Sequence, residues 1–102
     1  METHAITRLL QDTKTKNIAV VDVRTHQERE QIFIPNTLHI PVDELELRIQ
    51  ELKSYDRVYF FCKAGKRAEL ASEIAKNHGI DSIALFDSIF EIHSASQGIL
   101  QV

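Results

Sequence analysis

The chain's single cysteine, Cys62, is followed at once by a short basic segment. Lys63, Lys66 and Arg67 bring three positive charges to residues 62–67, and no acidic residue lies among them. The thiolate is the nucleophilic form of cysteine, and nearby positive charges stabilise it relative to the thiol. Covalent catalysis by Cys62 is therefore the first chemistry that this sequence suggests.

The residues after Cys62 also have the pattern of a tight turn that leads into a helix. Gly65 permits the positive φ or the close backbone approach that such a turn requires. Backbone amides at the turn, together with the positive end of the helix dipole, favour an anion at this point. The amides expected to surround the sulfur belong to Lys63, Ala64, Gly65, Lys66 and Arg67. The alternative is that Cys62 is a small buried apolar residue at a strand end, and the basic loop argues against it.

The pattern of apolar residues predicts alternating helices and strands around this loop. Strands are expected over 18–23, 37–40, 57–61 and 82–86, and helices over 3–13, 26–32, 43–52, 67–78 and 88–94. The runs IAVVDV and RVYFF are nearly continuous in apolar residues, which is typical of parallel strands buried on both faces. The chain is therefore predicted to be an α/β domain with an open, mostly parallel sheet of four to five strands and helices on both faces.

Polar residues at two predicted strand ends mark the edge of the sheet where a site is expected. In open α/β sheets, sites form beyond the carboxyl ends of the strands. Cys62 lies at the end of one strand, and Asp22 and Arg24 lie at the end of another. Asp22 and Arg24 could position a substrate, but a buried ion pair that ties the strand end to its loops is favoured. Arg67 either binds an anionic substrate or holds the loop through hydrogen bonds, and the sequence leaves both open.

Several helix ends and faces have recognisable signatures. Thr25 and Glu28 have the spacing of a capping box, which favours Glu28 as a helix cap over a catalytic acid. Asp43 and Glu46 have the same spacing, and Gly79 suits the position just after a helix end. The residues expected to face the core are Leu45, Ile49 and Leu52 in the helix over 43–52, and Leu70, Ala71, Ile74 and Ala75 in the helix over 67–78.

The loop sequence and an upstream segment together resemble a known family. The segment CKAGKRA at residues 62–68 resembles the active-site loop of the rhodanese family, in its small single-domain, phage-shock-type form. The segment DVR at residues 22–24, with Glu28 and then HIP at residues 39–41, is similar to that family's first signature. The resemblance implies a sulfurtransferase in which Cys62 takes sulfur from a donor such as thiosulfate, holds it as a persulfide and passes it to cyanide or a thiol.

The family also includes phosphatases, and the length of the loop separates the two activities. Four residues lie between Cys62 and Arg67, one fewer than in the phosphatase branch. The smaller loop suits a persulfide sulfur better than a phosphate, so phosphatase activity is not expected. The remaining alternatives are a non-catalytic module that binds a partner or carries delivered sulfur, and an oxidation-sensing thiol.

The chain departs from the family pattern around the rim of the expected site. Residues 32–37 are IFIPNT, where the family has GHIPGA. Asn36 tolerates a left-handed conformation and is expected to keep the turn, whereas Ile32 does not, so the local backbone is expected to differ from the family's. Asp87 and Ser88 stand where the family has two glycines. The charge of Asp87 is expected to weaken the binding of an anionic donor.

Composition excludes several other classes of function. Apolar residues make up 43% and charged residues 26% of the 102 residues, which is typical of a globular protein. The length fits one domain, which is assigned to residues 1–102. A net charge of −3 with well-mixed signs argues against nucleic-acid or membrane binding. No signal peptide or membrane span is recognised. The resemblance implies as partners a small-molecule sulfur donor, a thiol or cyanide acceptor, and a sulfur-accepting protein.

The cysteine count bears on compartment and metals. Cys62 has no second cysteine with which to form an internal disulfide, and a structural zinc site in its usual forms needs two or more. The five histidines are scattered along the chain, and His39 is interpreted as structural. The sequence therefore predicts no metal and no organic cofactor. A reducing compartment, most simply the cytoplasm, is expected.

Overall fold

A four-stranded parallel sheet organises the protein. The structure is a computed structural model that describes residues 3–86. Its elements are α1 (Thr3–Asp12), β1 (Ile18–Asp22), α2 (His26–Gln31), β2 (Leu38–His39), two 3-10 segments (Val42–Glu44 and Ile49–Leu52), β3 (Arg57–Phe61), α3 (Lys66–Asn77) and β4 (Ser82–Ala84). The strand order is β2-β1-β3-β4, and every neighbouring pair is parallel. The predicted α/β architecture is confirmed, and the helix predicted over 88–94 lies outside the described residues.

The two central strands are buried on both faces, as their apolar runs predict. Alternate residues of β1 and β3 pack into different clusters because successive side chains of a strand point to opposite faces. One cluster contains Ala19, Val21, Val58 and Phe60 with the buried face of α3, and the other contains Val20 and Phe61 with Leu10 of α1. Helices therefore cover both faces of the sheet. Cys62 belongs to the first cluster, on the α3 side.

The buried face of α3 differs from its prediction at one residue. Ala71 and Ala75 are buried and Ile74 is half-buried as expected, but the side chain of Leu70 is 51% exposed. The buried stripe instead includes Ala68 and Ser72. Helix geometry explains the error, because Leu70 is turned roughly 100° away from Ala71 and falls outside a stripe of small residues that packs closely on the sheet.

The residue after α3 confirms the predicted helix end. Gly79 has a φ of 80°, which is left-handed. The amide of Gly79 donates to the carbonyl of Lys76, and the amide of Ile80 donates to that of Ala75. This pair of hydrogen bonds is the Schellman arrangement that glycine permits at such a position.

The segment predicted as a helix over 43–52 is the clearest local error. It forms two short 3-10 segments, and its amides bond mainly to carbonyls three residues back, as in the bond from Leu45 to Val42. Pro41 precedes the first segment, and no side chain caps it, so the expected cap by Asp43 is absent. The apolar stripe was nevertheless correct, since Leu45, Ile49 and Leu52 are all buried.

The parallel register brings the two predicted polar strand ends side by side. Asp22 at the end of β1 is paired with Phe61 at the end of β3. The amide of Val23 continues the ladder by donating to the carbonyl of Phe61 at 3.0 Å. Cys62 and Arg24 therefore follow neighbouring strands at the same edge of the sheet.

Candidate active site

Cys62 lies inside the turn that follows β3. Its side chain is 1% exposed, and the amide of Gly65 donates to its sulfur at an N···Sγ distance of 3.0 Å. Gly65 itself is buried with a φ of 109°, while the neighbouring Lys63 and Ala64 are exposed. The thiol thus has the burial of a core residue, but the amide of the turn is directed at its sulfur.

The start of α3 leaves backbone amides free of side-chain caps. The helix begins at Lys66, and Gly65 at the capping position has no side chain with which to accept from the first helical amides. The first amides of a helix carry partial positive charge and require an acceptor. Negative charge on the sulfur of Cys62 would be stabilised by the Gly65 amide that already donates to it, at the positive end of α3.

Phe86 packs over the turn, a contact that the sequence did not indicate. A Cβ atom added to Gly65 would lie 2.8 Å from Cδ1 of Phe86, closer than real contacts allow. The predicted last strand over 82–86 ends earlier, at Ala84, so Phe86 lies beyond the strand. Glycine is required at residue 65 for two independent reasons: the positive φ and the aromatic ring against it.

Arg67 forms a two-point ion pair with Glu28. Its Nη1 lies 2.6 Å from Oε1 of Glu28, and its Nη2 lies 3.1 Å from Oε2. Hydrogen bonds from Arg67 lower the pKa of Glu28 to about 2, and the carboxylate raises the pKa of Arg67. The structure therefore ties Arg67 to α2 by hydrogen bonds, and its role toward an anionic substrate stays a prediction.

Glu28 has the predicted capping role and a second one. Its carboxylate accepts from the backbone amide of Thr25 at 3.0 Å, and the amide of Glu28 donates to Oγ1 of Thr25 at 3.1 Å, which completes the capping box. The pairing with Arg67 was missed because the two residues lie 39 positions apart, and no local pattern connects them. Only the three-dimensional fold places α2 beside the start of α3.

Lys63 and Lys66 are the other cations of the loop. Both side chains are exposed, and neither forms an ion pair with another residue in the range 3–86. Their charges therefore face solvent around the turn, where they would attract an approaching anion.

Asp22 and Arg24 form a buried ion pair, which is the favoured interpretation of the sequence. Arg24 is 2% exposed, and its Nε and Nη2 lie 3.0 and 2.9 Å from the carboxylate of Asp22. The same guanidinium donates to the carbonyls of Glu28 and Ile32, and Arg29 adds a second bond to Asp22 at 3.3 Å. The pair therefore fixes the end of α2, the helix that carries Glu28.

The backbone at the rim of the site can be compared with its prediction at two residues. Asn36 has a φ of 67° and so keeps a left-handed turn, while Ile32 is extended with a φ of −153°. His39 lies with Nε2 2.8 Å from the carbonyl oxygen of Arg24, a contact that supports the structural interpretation. Asp87 and Ser88 lie outside the described residues.

Two clefts lie elsewhere on the described part of the protein. One, of about 440 Å³, opens at the amino ends of β1 and β2, on the opposite edge of the sheet from Cys62. The other, of about 340 Å³, lies between α3 and β4 and includes Phe86. Neither cleft is lined by Cys62. Among residues 3–86, no helix is both long and apolar enough to cross a membrane.

Comparison with known proteins identifies the class to which this fold and site belong. The model of the rhodanese-like domain matches residues 5–91, and the chain is a member of that family. The single-domain sulfurtransferase RDL2 of Saccharomyces cerevisiae has the same fold, with a TM-score of 0.75 at 22% identity over 96% of this chain and 90% of that one.

Two relatives connect the family to sulfur transfer. The candidate sulfur carrier protein YrkF of Bacillus subtilis is 35% identical over 68 residues, which cover 67% of this chain and 37% of that protein. The human thiosulfate:glutathione sulfurtransferase is 35% identical over 72 residues, which cover 57% of this chain and 63% of that enzyme. The alignments span less than two thirds of either relative. The names of both relatives connect them with the carriage or transfer of sulfur.

Proposed function

We propose that this protein is a sulfurtransferase that carries sulfane sulfur on Cys62 as a persulfide. The observation that supports this most directly is the hydrogen bond from the Gly65 amide to the sulfur of Cys62, at the uncapped start of α3. A thiolate and a persulfide both carry one negative charge at this point, so the same donors stabilise the site before and after sulfur is loaded.

The proposed first step transfers sulfur from thiosulfate. The Cys62 thiolate attacks the outer sulfur, a sulfur–sulfur bond forms on the enzyme, and the bond within thiosulfate breaks with its electron pair leaving on sulfite. In the second step cyanide or a thiolate attacks the outer sulfur of the persulfide. Thiocyanate or a small-molecule persulfide leaves, and the Cys62 thiolate is regenerated without any external oxidant or reductant.

The residues of the loop would have two kinds of role: some attract the donor, and others hold the backbone around the sulfur. Lys63 and Lys66 are exposed and would raise the local concentration of an anionic donor. The amides of residues 63–67 would hold the persulfide, and Arg67, held by Glu28, would fix the start of the helix. Asp22 and Arg24 support the neighbouring strand end. The lone cysteine fits a reducing compartment such as the cytoplasm.

A sulfur carrier is the second candidate function, and burial of the sulfur favours it. Cys62 is 1% exposed, so a persulfide formed there would be shielded from solvent thiols and could persist until a protein acceptor docks. A carrier and an enzyme share the loading step. They differ in whether free thiols or cyanide discharge the persulfide in many turnovers.

Cys62→Ser tests the proposal. After treatment with thiosulfate, intact-protein mass spectrometry should show one added sulfur atom on the wild type and none on the variant. Thiocyanate production should fall by at least roughly a thousand-fold, because nucleophile replacements in covalent enzymes have effects of this size or larger.

The thermal unfolding temperature of Cys62→Ser provides the control for folding. Sulfur transfer that survives the substitution would refute the assignment of Cys62. A loaded wild type that turns over neither cyanide nor glutathione would favour the carrier over the enzyme. Release of phosphate from an aryl phosphate, without thiocyanate formation, would instead support the phosphatase branch.

A further inference from the structure

We propose that Glu28 sets the charge preference of the site for sulfur donors, because it neutralises Arg67 and keeps it from acting as a free cation. This inference rests on the proposed sulfur transfer through Cys62. Glu28 would be a positioning residue, since it acts through Arg67 and not on the donor itself. The consequence for donor class is a weaker preference for doubly charged thiosulfate, which brings singly charged sulfane compounds, such as thiosulfonates and persulfides of small thiols, closer to it as donors.

The geometry of the pair leaves Arg67 little freedom. Each of its two terminal nitrogens donates to a separate carboxylate oxygen of Glu28, at 2.6 and 3.1 Å. The side chains of Arg67 and Glu28 are 33% and 29% exposed, so water screens the pair less than it screens a surface ion pair. To bind a donor directly, Arg67 would have to leave both bonds.

Glu28 is itself fixed from two sides. Thr25 donates to its carboxylate through a backbone amide and a hydroxyl, at 3.0 and 3.2 Å. At the other end of α2, the buried guanidinium of Arg24 holds the carbonyls of Glu28 and Ile32. The pKa of Glu28, lowered to about 2 by Arg67, keeps the carboxylate ionised at any pH used for sulfur transfer.

The electrostatic consequence depends on the charge of the donor. With Arg67 paired, the exposed cations of the loop are Lys63 and Lys66. Removing the negative charge of Glu28 would restore one positive charge near the site. The interaction of a charge with that field scales with its size, so thiosulfate with two negative charges gains about twice the energy of a thiosulfonate with one.

Glu28→Gln is the variant that tests the inference. Glutamine keeps the length of the side chain and can still accept the capping hydrogen bonds. The readout is the donor concentration that half-saturates formation of the Cys62 persulfide, followed by mass spectrometry with thiosulfate and with methanethiosulfonate. Both donors load the same sulfur, and they release sulfite and methanesulfinate respectively with no change in the number of electrons.

The two donors should respond differently to Glu28→Gln. The half-saturating concentration should fall roughly three- to ten-fold for thiosulfate and by about the square root of that factor for methanethiosulfonate. Glu30→Gln removes the same charge from an exposed residue of the same helix that forms no ion pair of its own within residues 3–86, and it should change neither value. Equal changes for the two donors, or no change, would overturn the inference.

Arg67→Gln provides the opposite test and does not depend on the folding of Glu28→Gln. It leaves the Glu28 carboxylate unpaired and should raise the half-saturating concentration, more for thiosulfate than for methanethiosulfonate. The double variant Glu28→Gln/Arg67→Gln removes one charge of each sign and should return both values to near the wild type. If the double variant is as impaired as Arg67→Gln, the pair is purely structural. Wild-type protein that gains no sulfur from either donor would instead refute the proposed function.

Discussion

The ends of β1 and β3 lie side by side, yet they use polar groups in opposite ways. After β1, charged side chains satisfy one another and the backbone: Arg24 bonds to the buried carboxylate of Asp22 and to two partly buried carbonyls. After β3, the donor is a backbone amide and the acceptor is a side-chain sulfur, in the bond from Gly65 to Cys62. One end is closed by its own side chains, while at the other a backbone amide is directed at the sulfur of Cys62.

The difference between the two strand ends fits different roles: the end of β1 supports the backbone, and the end of β3 carries the proposed reaction site. A buried ion pair whose donors and acceptors are matched has no capacity left for a substrate, so its function is to fix the backbone. A helix start without a side-chain cap has donors in excess, which is the requirement for stabilising a transient negative charge. The ion pair of Glu28 and Arg67 connects the two regions. Glu28 lies on α2, which Arg24 anchors at the end of β1, and Arg67 lies at the start of α3.

The largest expected effect is a loss of stability when the ion pair at the end of β1 is broken. Arg24→Met should destabilise the protein by about 3–5 kcal/mol, because it removes the guanidinium partner of the fully buried Asp22 carboxylate, which then keeps only the bond from the backbone amide of residue 24 and the longer bond from Arg29. Unfolding by urea measures the change. Arg48→Met is the matched control, since the half-exposed Arg48 pairs with Glu44 and Glu51 and should cost about 1 kcal/mol or less. Equal losses in the two variants would contradict the distinction between buried and exposed pairs.

A smaller loss of stability is expected from a substitution in the turn after β3. Gly65→Ala should cost about 2 kcal/mol or more, because alanine is strained at a φ of 109° and its Cβ would meet Phe86 at 2.8 Å. It should also slow loading of Cys62, since the displaced turn would move the amide that faces the sulfur. Gly79→Ala is the control: its φ is 80°, but no atom lies within 4 Å of the added Cβ, so only the backbone strain remains. A smaller stability loss at residue 65 than at residue 79 would show that Phe86 does not restrict the turn.

Local sequence patterns were sufficient for the sheet and for the position of Cys62 just after β3. The apolar runs of β1 and β3 specify burial on both faces, and the glycine-containing loop after β3 specifies the turn around Cys62. The capping box of Thr25 and Glu28 was also predictable, because both partners lie within one helical turn. Such features depend on neighbours in sequence, which a single chain displays directly.

The features that sequence patterns could not predict depend on contacts between distant segments. The pairing of Glu28 with Arg67 and the packing of Phe86 on Gly65 exist only when the sheet has brought the segments together. The 3-10 geometry of residues 42–52 was missed for a related reason. A stripe such as Leu45, Ile49 and Leu52 fixes which side chains are buried, but tertiary packing decides whether the backbone beneath them is a regular α-helix.

The smallest expected effect is a pH dependence that measures the link between the two ends. The pKa of Glu28 is lowered from 4.5 to about 2 in the folded protein, so folding favours the ionised form. The resulting stability is fully present above pH 4.5 and is lost as the pH falls towards 2. Allowing for partial exposure to water, the contribution is about 1–2 kcal/mol.

Urea unfolding of the wild type and Glu28→Gln between pH 6 and pH 2 isolates this contribution, since only the wild type has an ionisable group at residue 28. The wild type should be the more stable at pH 6, and the difference should shrink steadily below pH 4.5. Glu30→Gln, which alters an exposed carboxylate of the same helix, should show little change of this kind. A difference that stays constant down to pH 2 would mean that the carboxylate of Glu28 is not held ionised by Arg67. The neutralisation of Arg67, on which the proposed donor preference depends, would then have no basis.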